Sequence, residues 1–165
     1  MPTKYPCGVR AKVTNPRKRI TILLAEDTIA DQSLMKQALK ISRILNNLYI
    51  VNDGEELLDY LHRRHQYSDI ASSPRPDLIL LDWHLPKIDG PEVLQAIKAD
   101  SNLRRIPIVV LTSSSSEQDI RRSYELGASS YFIKPMTFDA LVEAVNTLGE
   151  YWFHIVELPP ANGNA

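Results

Sequence analysis

The chain has one cysteine, Cys7, in 165 residues, and a single thiol builds no disulfide within a chain. It has almost no charge of one sign in excess. The 19 Lys and Arg against 20 Asp and Glu leave a net charge of −1, so no long-range field draws it onto nucleic acid or an anionic membrane, and any partner has to be selected locally. Long apolar runs are missing as well. Runs such as 22–25 and 78–81 fall far short of the ~20 residues of a spanning helix, and the first residues carry charge without the apolar core of a secretory signal. No helix-turn-helix, Gly-rich nucleotide loop or zinc spacing is present after 151. These absences lead to the expectation of a cytoplasmic protein with neither membrane nor direct DNA contact.

What is there is ordinary globular composition, 44% hydrophobic with 24% charged, in a length suited to one domain. Such a body buries roughly two-thirds of its unfolded surface and needs no covalent staple. Residues 1–19, broken by Pro2, Pro6, Gly8 and Pro16 and ending in Arg17-Lys18-Arg19, have no apolar period and read as a flexible arm, its basic cluster a solvated lead-in. The folded domain is expected over 20–151, with an aromatic extension and tail at 152–165.

From Ile20 onward, short continuous apolar runs (20–25, 48–51, 78–81, 106–111 and 131–133) alternate with helical-period segments near 31–45, 55–67, 91–100, 117–126 and 137–155. Apolar runs without alternation are strands buried on both faces. Five strands and five helices in strict alternation give an α/β fold, a doubly wound open parallel sheet with right-handed crossovers. Folds of this kind bind ligands outside the carboxyl ends of their strands. The polar residues there are Glu26 and Asp27 after the first strand, Asp82 after the third, Thr112 after the fourth and Lys134 after the fifth.

Taken singly, such residues cap helices or form surface ion pairs. Together, three carboxylates repel one another and require a positive charge among them. A divalent ion with oxygen ligands answers this, and Mg2+ suits it because it leaves positions open for a phosphate. Asp82, on the most uniformly apolar strand, is the candidate nucleophile toward a phosphoryl group. Lys134 adds a second positive charge, and the Thr112 hydroxyl is a donor to the phosphoryl oxygens.

Four blocks carry a recognisable pattern: Leu24-Ala25-Glu26-Asp27, Leu80-Leu81-Asp82-Trp83-His84-Leu85-Pro86 through Asp89-Gly90, Val110-Leu111-Thr112-Ser113, and Tyr131-Phe132-Ile133-Lys134-Pro135. In order and spacing they resemble bacterial response-regulator receiver domains, over about 20–151. The resemblance implies a flavodoxin-like (CheY-like) sheet of strand order 2-1-3-4-5. It implies Asp82 as phosphoacceptor, and Mg2+ held by Asp27, Asp82 and the His84 backbone carbonyl, with Glu26 acting through water. It further implies Thr112 and Tyr131 as the switch pair, Lys134 as the phosphate-binding lysine and a cis Lys134–Pro135 peptide. A protein of this class is not an enzyme in the usual sense; it catalyses its own phosphorylation and dephosphorylation, is charged by a sensor histidine kinase, and signals through the fourth and fifth helices and fifth strand to a downstream protein the sequence does not name. The stretch Ser73-Pro74-Arg75-Pro76-Asp77, the long loop before it and the tail Tyr151-Trp152-Phe153 are similar to stand-alone regulators partnered with bacterial phytochromes, which implies a phytochrome-type kinase.

Glu26 replaces the commoner Asp at the first acidic position. Ser113 to Ser116 read as a flexible helix lead-in, and the His84 side chain, two beyond the phosphoacceptor, either faces the phosphoryl group or leaves only its carbonyl in use. On the last helix Phe138, Leu141, Val142, Val145, Leu148 and Trp152 form one apolar stripe. Tyr151 and Phe153 point away from it, so Phe138, Tyr151, Trp152 and Phe153 are candidates for a homodimer or partner contact, the alternative being a tail folded back on its own domain. His62 and His65, flanking Arg63-Arg64, read as a solvated helix face rather than a zinc site. Two other functions stay open: a Mg-dependent aspartyl-phosphate phosphatase, against which stands the missing second Asp two residues after the nucleophile, and a receiver-like module acting without phosphorylation.

Overall fold

The computed structural model describes residues 19–152. Residues 1–18 of the expected arm, and Phe153 with the rest of the tail, lie outside the described residues. Ten elements alternate along the chain: β1 Ile20–Ala25, α1 Ile29–Ile41, β2 Asn46–Val51, α2 Gly54–His62, β3 Leu78–Asp82, α3 Gly90–Ala99, β4 Ile108–Thr112, α4 Glu117–Glu125, β5 Ser130–Ile133 and α5 Phe138–Glu150. The strands form one parallel sheet in the order β2-β1-β3-β4-β5, the doubly wound fold expected from the sequence.

The unbroken apolar strands follow from burial on both faces. Side chains alternate across a strand, so Leu23, Ile79, Leu81, Ile108 and Val110 pack with Leu57 of α2 and Val93, Leu94 and Ile97 of α3. Their sequence neighbours Ile22, Leu24, Leu78, Leu80, Val109 and Leu111 pack on the other face with Met35, Ala38 and Leu39 of α1 and Val145 of α5. The full predicted stripe of α5 turns to this second core, Phe138, Leu141, Val142, Leu148 and Trp152 lying half-buried against it. Arg19, the last residue of the expected arm, donates to the Asn46 carbonyl at 3.2 Å and so is tied to β2.

Helix ends are where structure and sequence expectation part. α2 stops at His62 rather than near 67, because Arg63 turns left-handed (φ 56°) and its N–H closes back on the Tyr60 carbonyl at 3.2 Å. His65–Tyr67 form a separate 3-10 turn. The long connection to β3 is held by the Tyr60 O–H donating to the Pro74 carbonyl at 2.9 Å and by the Arg75 guanidinium donating to the Leu61 carbonyl at 3.2 Å. β4 begins at Ile108 rather than 106, since Pro107 has no N–H for the ladder, although its carbonyl accepts from Ile79 at 3.0 Å.

The β3–α3 connection sits directly on the start of α2. Asp53 caps that helix through the Glu56 N–H at 2.7 Å, and Lys87, left-handed at φ 65°, reaches Asp53 at 3.0 Å and Glu55 at 3.1 Å. A Cβ on Gly54 would stand 1.9 Å from the Ile88 carbonyl oxygen. Backbone cannot rotate aside, so Gly54→Ala is expected to cost about 3 kcal/mol and to push this connection off α2. Denaturant unfolding measures the loss; a midpoint like the wild type's would refute the close approach.

Candidate phosphoryl-acceptor site

The sheet register brings the candidate residues to one rim. Ala25 pairs with Leu81 and Asp82 with Leu111, while Thr112 pairs with Ile133. Glu26, Asp82, Thr112 and Lys134 therefore emerge side by side at the carboxyl ends of β1, β3, β4 and β5. Backbone bonds fix two of them further: Glu26 N–H donates to the Val51 carbonyl at 3.1 Å and Lys134 N–H to the Thr112 carbonyl at 2.8 Å.

Glu26, Asp27 and Asp82 each offer a carboxylate oxygen within 4.8 Å of the others, the acidic pocket expected from the sequence. Their surroundings differ. Asp27 is exposed, Asp82 is buried with its Oδ1 accepting from the His84 N–H at 3.2 Å, and the Glu26 side chain is only 3% exposed. The Glu26 carboxylate is held within the protein, accepting from the Thr28 N–H at 3.1 Å and from Lys134 at 2.6 Å.

Lys134 is the centre of the arrangement. Its Nζ donates to Glu26 Oε2 at 2.6 Å, Asp31 Oδ2 at 2.9 Å and Asp82 Oδ2 at 3.2 Å. Burial pushes its pKa down, but the bonds to Glu26 and Asp31 and the charge of Asp82 outweigh this and hold it above the usual lysine value. The Lys134–Pro135 peptide is trans, no cis peptide occurring among the described residues. That corrects the cis form the resemblance implied, and trans is the lower-energy isomer of an X–Pro bond.

Thr112 is 1% exposed, and its hydroxyl accepts from the Ser114 N–H at 3.2 Å. Tyr131 is half-buried and donates its O–H to the Ser114 carbonyl at 2.9 Å; burial is the largest influence raising its pKa. Both candidate switch side chains thus meet at Ser114. The Ser114 hydroxyl in turn donates to Asp119 of α4 at 2.8 Å and accepts from the Ser116 N–H at 3.2 Å. Within the serine run, the Ser114 hydroxyl thus ties the lead-in to the first turn of α4.

The His84 side chain is exposed. Of the candidate contact residues, Phe138 and Trp152 are half-buried against the core, and Tyr151 is 49% exposed with its ring edge-on to Trp152, centroids 5.4 Å apart. The Trp152 indole N–H has no acceptor among the described residues. His62 is 3.9 Å from Asp100, and His65 is 3.8 Å from Asp59; neither belongs to a cluster of metal-ligating side chains among the described residues. Sequence reasoning did not join two residues to this site: Ser114, read only within the lead-in to the fourth helix, and Asp31, read only as first-helix surface although it lies four residues beyond Asp27.

A parallel five-stranded sheet with an acidic pocket, a buried threonine and a lysine on its carboxyl rim is the architecture of a signalling receiver. The chain matches the response regulator receiver domain over residues 22–146, and it belongs to that family. It is 43% identical to the response regulator Rcp1 of Synechocystis sp. over 148 residues, 90% of this chain and 97% of that protein. Among solved structures it is similar to the Mn2+-bound form of Rcp1, at 43% identity and a TM-score of 0.76, over 85% of this chain and 99% of that one. It is also similar to the phosphorylated cyanobacterial phytochrome response regulator RcpA, at 42% identity and a TM-score of 0.79, over 86% and 99%. No described helix is long and apolar enough to cross a membrane.

Proposed function

We propose that the protein is a receiver that accepts a phosphoryl group on Asp82 from a sensor histidine kinase of the phytochrome type and passes the signal on through a change of surface or of self-association. The observation that carries this is the placement of Asp82 between the Glu26–Asp27 pair and Lys134, anchored by the 3.2 Å contact to Lys134. One relative supports the partner: RcpA is a cyanobacterial phytochrome response regulator whose structure is of the phosphorylated form.

The three carboxylates are hard oxygen donors and fit a divalent cation such as Mg2+; a relative's structure holds Mn2+. Asp27, Asp82 and the His84 carbonyl would hold it, with Glu26 acting through water. When bound, such an ion neutralises phosphoryl oxygens during transfer. The chain supplies the rest. A carboxylate oxygen of Asp82 attacks phosphorus, and the bond from phosphorus to the kinase imidazole breaks, its electron pair leaving with the imidazole. Lys134 neutralises charge on the transferred group.

Once Asp82 carries the phosphoryl group, the Thr112 hydroxyl donates to one of its oxygens. Its partner Ser114 shifts, and Tyr131, bonded to the Ser114 carbonyl, moves with it. The change reaches α4 through Asp119 and the β5 and α5 surface through Tyr131, where Phe138, Tyr151, Trp152 and Phe153 would meet a second copy or a downstream protein. The folded unit would be residues 20–151, with 1–19 as an arm and 152–165 as a tail.

Incubation with acetyl phosphate and Mg2+, followed by intact mass and sedimentation, tests the reading. A single phosphoryl adduct removed by hydroxylamine, as an acyl phosphate is, together with a shift in association, is the expected outcome. No adduct under any condition would leave a receiver fold working without phosphorylation.

A further inference from the structure

An ammonium has three N–H donors, and in Lys134 all three are engaged, by Glu26 at 2.6 Å, Asp31 at 2.9 Å and Asp82 at 3.2 Å. Before transfer Asp82 is still a carboxylate, and the phosphoryl group approaching it needs one of those donors, so one acceptor has to yield. The three acceptors are not equivalent. The Glu26 side chain is 3% exposed and that of Asp82 11%, whereas that of Asp31 is 39% exposed. Freeing a buried carboxylate from its cation leaves a charge uncompensated, while a carboxylate at the surface is rehydrated at little cost.

Asp31 stands in the first turn of α1, where the positive end of the helix also favours its charge. It therefore remains well placed after letting Lys134 go.

Resting on the receiver reading, we propose that Asp31 is a positioning residue for Lys134. It holds the ammonium toward the surface in the unmodified protein and yields one N–H to the incoming phosphoryl group, so its carboxylate sets how fast Asp82 is phosphorylated. The chemical step is unchanged: an Asp82 oxygen bonds to phosphorus, the phosphorus–oxygen bond of acetyl phosphate breaks, and acetate leaves with the electron pair.

The experiment compares wild type, Asp31→Ala and Asp31→Glu with acetyl phosphate at saturating Mg2+, following the adduct by intact mass, and measures Mg2+ affinity separately from the fluorescence of Trp83, the residue after Asp82. In Asp31→Ala the donor is free in advance, and phosphorylation is expected to rise about three- to tenfold. The same variant has lost a negative charge beside the pocket, so its Mg2+ affinity is expected to fall by a similar factor. Asp31→Glu, keeping the charge, returns both toward wild type.

A purely structural role would lower the two quantities together, and that result, or an unchanged rate, overturns the proposal. An adduct on wild type with no rate difference in Asp31→Ala sinks the role of Asp31 alone. No adduct on wild type sinks the receiver reading and this inference with it.

Discussion

Asp82→Asn is expected to abolish the phosphoryl adduct while leaving the fold intact. Asparagine has nearly the shape of aspartate and keeps an oxygen for the His84 N–H, now 3.2 Å from Asp82 Oδ1. It also relieves repulsion among three carboxylates lying within 4.8 Å. Its amide is a poor nucleophile, so the loss of adduct should be complete within the sensitivity of intact mass, with thermal stability equal to or above that of the wild type. Divalent-ion affinity should fall at least tenfold, since one of the two carboxylates that would hold the ion directly is gone. An adduct that survives the substitution would move the acceptor elsewhere, to Thr112 or the serines after it, and would remove Asp82 from the mechanism.

Lys134→Ala is expected to act on stability as well as on chemistry. Without divalent ion, Lys134 is the cation shared by Glu26, Asp31 and Asp82, and its loss leaves the buried Glu26 carboxylate, among the described residues, with the Thr28 N–H as its remaining partner. Breaking a buried pair from one side costs about 3 to 5 kcal/mol, and the lower end applies here because two of the three partners retain some access to water. Glu26→Gln combined with Lys134→Ala should recover most of that loss, and Mg2+ should stabilise the single variant more than it does the wild type. Equal destabilisation in the single and double variants would show that the lysine acts through packing.

The pH dependence of the same difference has a definite sign. The folded pKa of Lys134 lies above its unfolded value of ~10.4, so its contribution is fully present below that value and is lost as pH rises through the folded pKa. Between pH 7 and 9 the lysine's own ionisation should therefore add no slope to the difference between wild type and Lys134→Ala. Above about pH 10.4 the difference should begin to shrink.

The central strands were easy to read because they are buried on both faces: β1 covers the residues expected, Ile20–Ala25, and β3 differs only by including Asp82. Helix limits were harder. Ile29 opens α1 although it is 77% exposed, so no apolar period marks it, and Arg63 ends α2 through a left-handed turn that pattern alone does not signal. Asn52-Asp53-Gly54 reads locally as a turn and helix start, with Gly54 its last residue. The contact of Gly54 is with a carbonyl of the β3–α3 connection, which becomes its neighbour only when the sheet has formed.

By itself the sequence determined the alternation of strands and helices, and hence which ends carry Glu26, Asp27, Asp82, Thr112 and Lys134, because apolar runs and strand-end polar residues are local properties of the chain. Only the tertiary structure decided how those residues share their charges. Lys134 meets Asp31 across 103 residues and Glu26 across 108, and whether an ammonium turns to one carboxylate or three depends on sheet register and on the first turn of α1. The junction of Thr112 and Tyr131 at Ser114 was decided the same way: β4 and β5 have to pair before the tyrosine hydroxyl can reach that carbonyl. Hydrogen bonds act over about 3 Å, and distances of that size between remote segments exist only in the folded molecule.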